Sequence, residues 1–162
     1  MTAMGATGKV ALVSGATRGL GRGIARALAA KGYLVVVTGR SSEALDGVVA
    51  EISQSDGRAV GMVCDHGDDR SVEALFARVD KELGRLDLLV NNATFVNAME
   101  MTKAGGYWEK PLNLADMIVV GLRSHYVASY YATPLMIRTG ASLIANISFY
   151  GAVSYHYGPA YG

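Results

Sequence analysis

Cysteine is almost missing from this chain: Cys64 is the single thiol in 162 residues. No internal disulfide can form, which agrees with a reducing compartment, and the thiol reads as a small buried apolar group at a strand end. Proline is nearly as scarce, with three residues, and no proline-rich linker, low-complexity tract or repeat divides the sequence. Neither sign of charge dominates, since 15 Lys and Arg face 14 Asp and Glu for a formal net charge of +1. That balance gives no basic field for nucleic acid, no acidic tail and no electrostatic support for binding a membrane surface. No apolar run approaches the ~18 residues of a membrane span, and the start MTAMGATGK lacks the basic region, apolar stretch and cleavage site of a secretion signal. The expectation is a single cytoplasmic domain over residues 1–162, and a composition 51% hydrophobic and 18% charged is that of an ordinary globular chain.

What is present in quantity is glycine, and its most telling cluster is in Lys9 to Gly23, KVALVSGATRGLGRG. Val10, Leu12 and Val13 make a short strand-type run, whereas Leu20, Ile24, Ala27 and Leu28 recur at helical spacing, so the glycines lie where one period gives way to the other. A turn that opens a helix is an anion site. The first helical N–H groups have no partner inside the helix, they carry the positive end of its dipole, and glycine lets a phosphate approach without meeting a Cβ. Gly15, Gly19 and Gly21 read G-x-x-x-G-x-G, which is neither the commonest dinucleotide turn nor a P-loop, and no Lys follows Gly21 as an ATPase would need. Taken alone, the spacing also fits an ordinary strand-to-helix turn.

Further along, strands and helices alternate. Tyr33 to Thr38 is a β-branched run suited to burial on both faces of a parallel sheet. Ser41 or Ser42 can cap a helix carrying Ala44, Leu45, Val48, Val49 and Ile52, closed by Asp56-Gly57. A third strand spans about Arg58 to Cys64, a polar loop Asp65 to Asp69, and a helix shows the stripe Val72, Leu75, Phe76, Val79, Leu83 before Gly84. Leu86 to Val90 is a fourth strand, running into Asn91-Asn92-Ala93. Periodicity lapses from Thr94 to Pro111, a connection long enough to be functional. Leu114 to about Met136 then reads as one helix with Pro134 in its last turn, and Ala141 to Ser148 as a fifth strand, followed by loop from Tyr150. This alternation predicts an α/β fold, a doubly wound parallel sheet with strand order 3-2-1-4-5.

Ser14-Gly15-Ala16-Thr17-Arg18-Gly19-Leu20-Gly21 resembles the T-G-x-x-x-G-[IL]-G cofactor turn of the short-chain dehydrogenase/reductase family, with Ser for the first Thr. The resemblance extends over residues 8–162 through Asp65, Asn91-Asn92-Ala93, Ser148 and Tyr161. It implies a Rossmann-type fold and a nicotinamide dinucleotide held by Gly15, Thr17, Arg18, Gly19, Leu20 and Gly21. It also implies that Asp65 holds the adenine and that the Asn92 segment braces the cofactor floor. Arg40 ends strand two where such a site places either an acid for a ribose hydroxyl or a cation for a 2′-phosphate, and with Arg18 it offers two guanidinium forks to a phosphate dianion. NADP(H) is therefore expected over NAD(H).

By the same resemblance, Ser148 orients a carbonyl oxygen and Tyr161, thirteen residues on, protonates it. A carbonyl taking hydride needs a donor and a proton source within about 3 Å of its oxygen. The implied activity is hydride transfer between NADP(H) and a small carbonyl or alcohol substrate, with a homo-oligomer as the usual full-length form. The chain departs from the pattern at several places. Thr94 stands where the family's N-N-A-G has glycine, Gly121 stands where a helix asparagine supports a water relay, and the lysine four residues beyond Tyr161 lies past the last residue. The segment Tyr107-Trp108-Glu109-Lys110-Pro111 through Val120-Gly121-Leu122-Arg123-Ser124-His125-Tyr126 resembles a subgroup that also carries V-G-L-R-x-H-Y, which makes Gly121 a subgroup trait. The expectation is the cofactor half and part of the catalytic site; the alternative is a nucleotide-binding module without turnover. A methyltransferase-like sheet would end strand two in an acid, and Arg40 is there instead. His66, His125 and His156 lack ligand spacing, so no metal site is expected.

Overall fold

The structure is a computed structural model and describes residues 8–148. Five strands, β1 (Val10–Val13), β2 (Leu34–Gly39), β3 (Arg58–Val63), β4 (Leu88–Asn91) and β5 (Leu143–Asn146), form one parallel sheet in the order β3-β2-β1-β4-β5. Between them run α1 (Gly19–Ala30), α2 (Ser42–Ser53) and α3 (Asp69–Leu83), and the β4–β5 connection holds α4 (Ala98–Thr102), α5 (Asp116–Ile118) and α6 (Ser124–Thr139). The predicted fold class and strand order are those observed.

Strand alternation divides the core into two layers. Val10, Leu12 and Val36 pack on Val72, Phe76, Val79 and Leu135 on the α3–α6 face. Their neighbours Val13, Val35 and Val37 pack on Ala25, Leu45 and Ile52 on the α1–α2 face. All four β1 residues are fully buried, as befits the middle of a sheet covered on both sides. On α1 the buried residues are Gly21, Ala25 and Ala29, whereas Leu20 is 60% exposed. Of the stripe expected to face the core, Ile24 and Leu28 pack partly buried against it, Leu20 and Ala27 do not, and the fully buried line is made of small residues that let the helix lie close to the strand ends.

Several boundaries differ from the sequence pattern for identifiable reasons. Strand four begins at Leu88 because Asp87 substitutes its carboxylate for a ladder group: Oδ2 accepts from Val10 N at 2.7 Å while Asp87 N donates to Val10 O at 2.9 Å. Burial alone would raise the Asp87 carboxyl, but the Arg85 guanidinium, the Val10 N–H and the Lys9 charge outweigh it and hold the group below the ordinary carboxylate range. The single helix expected from Leu114 is instead a 3-10 turn (Leu112–Ala115), α5, a π turn (Val119–Arg123) and α6. Ser124 explains the π turn: its backbone N donates to Val119 O while its hydroxyl caps Val120 O. Pro134 lies inside α6, which continues to Thr139 and docks there when the Thr139 hydroxyl accepts from Leu86 N at 3.0 Å. The aperiodic stretch after β4 is ordered by a small core of its own, Met101, Leu114 and Met117 with Phe95 against them.

Candidate cofactor and active site

The carboxyl ends of β1, β2, β3, β4 and β5 lie along one edge of the sheet, and the residues singled out by the sequence follow them. The turn after β1 is built by exclusion of side chains. Gly15 has φ +64°, and a Cβ there would come 2.9 Å from Ala93 Cα. A Cβ on Gly21 would run into the Gly15 carbonyl oxygen and approach Asn92 Nδ2 to 2.5 Å. Gly19 also has positive φ, at +54°, but nothing stands within 4 Å of its Cβ position, so the space above the helix start is open. The first α1 backbone bond is Arg22 N to Arg18 O, which leaves the N–H groups of Gly19, Leu20 and Gly21 ahead of the ladder, with no acidic side chain in the first turn.

The turn is tied down from behind by Ser14 and Asn92. Ser14 is 1% exposed; its Oγ accepts from Asn92 N and Ala93 N, both at 2.9 Å, and donates to Val90 O at 3.3 Å. Asn92 Nδ2 returns bonds to Ser14 O at 2.9 Å and Gly15 O at 3.2 Å. Nothing in the sequence marks this reciprocal clasp beyond a short polar residue at the strand end and a following N-N-A. Ser14→Ala strands two backbone donors at about 1–3 kcal/mol each. The expected result is a fall of roughly 5–10 °C in thermal midpoint, with Ser14→Thr close to the unmutated protein, and a shift under 2 °C for Ala would count against the clasp.

Beside the turn, β2 supplies the second guanidinium. Ala16 N donates to Thr38 O at 2.9 Å, and a Cβ on Gly39 would lie 2.7 Å from Thr17 Cγ2, so turn and strand tip touch through a glycine. Arg18 and Arg40 are each the next residue after that contact, both exposed, and neither makes an ion pair among the described residues. At the end of β3, exposed Asp65 uses Oδ1 to accept from Gly67 N at 2.9 Å, which fixes the polar loop it opens. Ser148 is exposed just past β5, where Ile147 N still donates to Asn91 O at 2.8 Å. Tyr161 and His156 lie outside the described residues.

Two histidines serve the framework. His66 is 7% exposed and pairs Nε2 with Thr38 Oγ1 at 2.7 Å, locking the β3 loop to the tip of β2. Burial lowers its pKa to about 4, against a smaller opposing pull from Asp65. His125 joins Nε2 to Ala93 O at 3.0 Å, and burial lowers it too, although the Ala93 carbonyl favours its charged form. For both the neutral ring is the one that fits, so their contribution is complete above the ordinary histidine value near 6.5 and is lost as pH falls below it, for His66 down to about 4. For His66 the loss reaches roughly 3 kcal/mol. Chemical denaturation between pH 7 and pH 4 should show it, with a flatter profile in His66→Gln; an unchanged profile would contradict the assignment.

Asn91 is fully buried and its Nδ2 reaches Asn146 Oδ1 at 2.8 Å, Ser129 Oγ at 3.1 Å and His125 O at 3.3 Å, joining β4 to β5 and α6. Among the described residues no group of three or more His, Cys, Asp or Glu could hold a metal ion, and no helix is long and apolar enough to cross a membrane.

The family model for short chain dehydrogenases matches residues 9–162. The human dehydrogenase/reductase SDR family member 1 is 42% identical over 158 residues, covering 96% of this chain and 50% of that protein. The 7alpha-hydroxysteroid dehydrogenase of Clostridium sardiniense is 36% identical over 148 residues, covering 90% of this chain and 55% of its own length. Among solved structures, a metagenomic short-chain oxidoreductase in complex with NADP superposes with a TM-score of 0.83 at 34% identity, over 94% of this chain and 68% of that one. An actinorhodin polyketide ketoreductase variant with NADPH gives 0.81 at 30% identity, over 91% and 56%. The chain thus spans about half the length of the curated relatives it matches.

Proposed function

Since the chain belongs to the short-chain dehydrogenase family, we propose that it is a single NAD(P)-binding domain of an oxidoreductase that uses NADP(H) in preference to NAD(H) and acts on a carbonyl or alcohol. The observation that supports this reading is the close approach of Thr17 to Gly39, which brings together the two backbone segments that continue into exposed Arg18 and Arg40. Bound NADP(H) supplies the hydride. The residues fit such a group: α1 presents free N–H groups where Gly15, Gly19 and Gly21 keep Cβ atoms away, which suits a pyrophosphate. The two guanidinium groups suit a 2′-phosphate dianion. Thr17 and Leu20 would line the turn and Asp65 would hold the adenine end, while Asn92 keeps the turn in shape through its bonds to Ser14 O and Gly15 O.

On the substrate side, Ser148 donates a hydrogen bond to the carbonyl oxygen and Tyr161 gives it the proton. The partner is a small carbonyl or alcohol compound, with neither nucleic acid nor membrane involved, and the whole protein works as a cytoplasmic homo-oligomer. The solved relatives with NADP and NADPH support the cofactor class. The test is NADPH consumption by the whole protein across a panel of aldehydes, ketones and ketosteroids. Consumption that depends on the carbonyl is expected. NADPH binding with no consumption on any carbonyl would favour a nucleotide-binding module instead.

A further inference from the structure

The chain departs from its family's pattern at Thr94 and at Gly121, and the structure brings these two residues into contact. Thr94 follows β4 at the carboxyl edge, and Gly121 lies in the π turn Val119–Arg123. A Cβ on Gly121 would come 2.9 Å from Thr94 Oγ1 and 3.8 Å from Thr94 Cβ. Thr94 therefore occupies the place into which a side chain at position 121 would grow. Its own side chain is exposed, and Oγ1 makes no hydrogen bond among the described residues.

The backbone beneath that hydroxyl is fixed. Ala93 N donates to Ser14 Oγ at 2.9 Å and Ala93 O bonds His125 Nε2 at 3.0 Å. The facing helix is held by Arg123, whose guanidinium grips Asp69 at 2.5 and 2.6 Å. Register brings the two strand ends together: Asn91 pairs with Asn146 across β4 and β5, and Ile147 N donates to Asn91 O at 2.8 Å, so Thr94 follows the end of one strand and Ser148 the end of its neighbour. A hydroxyl without a partner among the described residues, on a rigid base and next to the strand end that carries Ser148, is a preorganised donor.

We infer that Thr94 is a second substrate-contacting hydroxyl, donating to the oxygen of a carbonyl substrate alongside Ser148, and that position 121 is glycine to leave it that place. The inference rests on the reductase reading above. Thr94→Val keeps the shape and removes the hydroxyl; Thr94→Ser keeps the hydroxyl. In the whole protein, Thr94→Val should lower kcat/KM for the carbonyl about tenfold, the usual yield of one neutral hydrogen bond. Its NADPH affinity and thermal midpoint should be unchanged, and Thr94→Ser should stay within about threefold of the unmutated rate. Normal turnover by Thr94→Val, or a loss that Ser does not rescue, would overturn the inference and leave the reductase reading standing. Absence of carbonyl-dependent NADPH consumption in the unmutated protein would overturn both.

Discussion

Gly21→Ala is expected to weaken NADPH binding by more than about a hundredfold, a loss of roughly 3 kcal/mol, and to lower stability as well. One methyl group has this effect because its place is taken twice over, by the Gly15 carbonyl oxygen and by Asn92 Nδ2. Neither neighbour can yield cheaply. Gly15 O is backbone, and Asn92 Nδ2 is committed to Ser14 O and Gly15 O, so relief requires opening the clasp that shapes the turn. Overpacking of a closed site costs about 1–3 kcal/mol even before such hydrogen bonds are lost. Two nearby glycines act as controls. Gly19 has open space but φ +54°, so Ala there should cost only about 1–2 kcal/mol of backbone strain. Gly23 has neither a close neighbour nor positive φ, and Ala there should stabilise α1 by up to about 1 kcal/mol. Titration of NADPH fluorescence with the three variants, beside thermal melts, reads both effects; equal behaviour of the Gly21 and Gly23 variants would refute the packing argument.

Tyr161→Phe is expected to remove nearly all turnover by the whole protein. The proposed reaction puts negative charge on a carbonyl oxygen, and positioned proton donation contributes about 10²–10⁴-fold to such a step. Phenylalanine preserves the ring and takes away only the hydroxyl that would give the proton. Cofactor affinity should hardly change, because the groups proposed to hold NADP(H) are the glycine turn, Arg18 and Arg40. Single-turnover oxidation of NADPH separates the two quantities: a rate within tenfold of the unmutated protein would show that another group is the acid.

The sheet was legible because β-branched runs such as Tyr33 to Thr38 and glycine stops such as Gly84 are local signals, and a parallel sheet needs little else to be recognised. Glycine spacing marked the turn after β1, but alone it also fitted an ordinary strand-to-helix turn, and only the resemblance running through Asp65, Asn91-Asn92-Ala93 and Ser148 pointed to a cofactor there. Three other features escaped the local patterns, two of them because they depend on residues far apart in sequence. Asp87 replaces a ladder bond only because β1 lies beside it. Ser14 becomes a triple hydrogen-bonding centre only when β4 ends against β1. The π turn follows from a competition between the Ser124 hydroxyl and its own backbone N–H, which helical periodicity does not report. The helix α1 shows the opposite error: Leu20 strengthened the helical pattern, yet the buried face is Gly21, Ala25 and Ala29, since close approach to the strand ends favours small side chains over apolar ones.

The proposed dinucleotide site selects a 2′-phosphate through Arg18 and Arg40, and paired fluorescence titrations with NADPH and NADH read that selection. A paired guanidinium contact to phosphate is a charge-assisted interaction worth about 1.5–3 kcal/mol, so NADPH should bind the unmutated protein at least tenfold more tightly than NADH. Arg40→Asp should abolish or reverse that preference while leaving NADH binding intact. Equal affinities for the two nucleotides in the unmutated protein, or a preference that survives Arg40→Asp, would contradict the account.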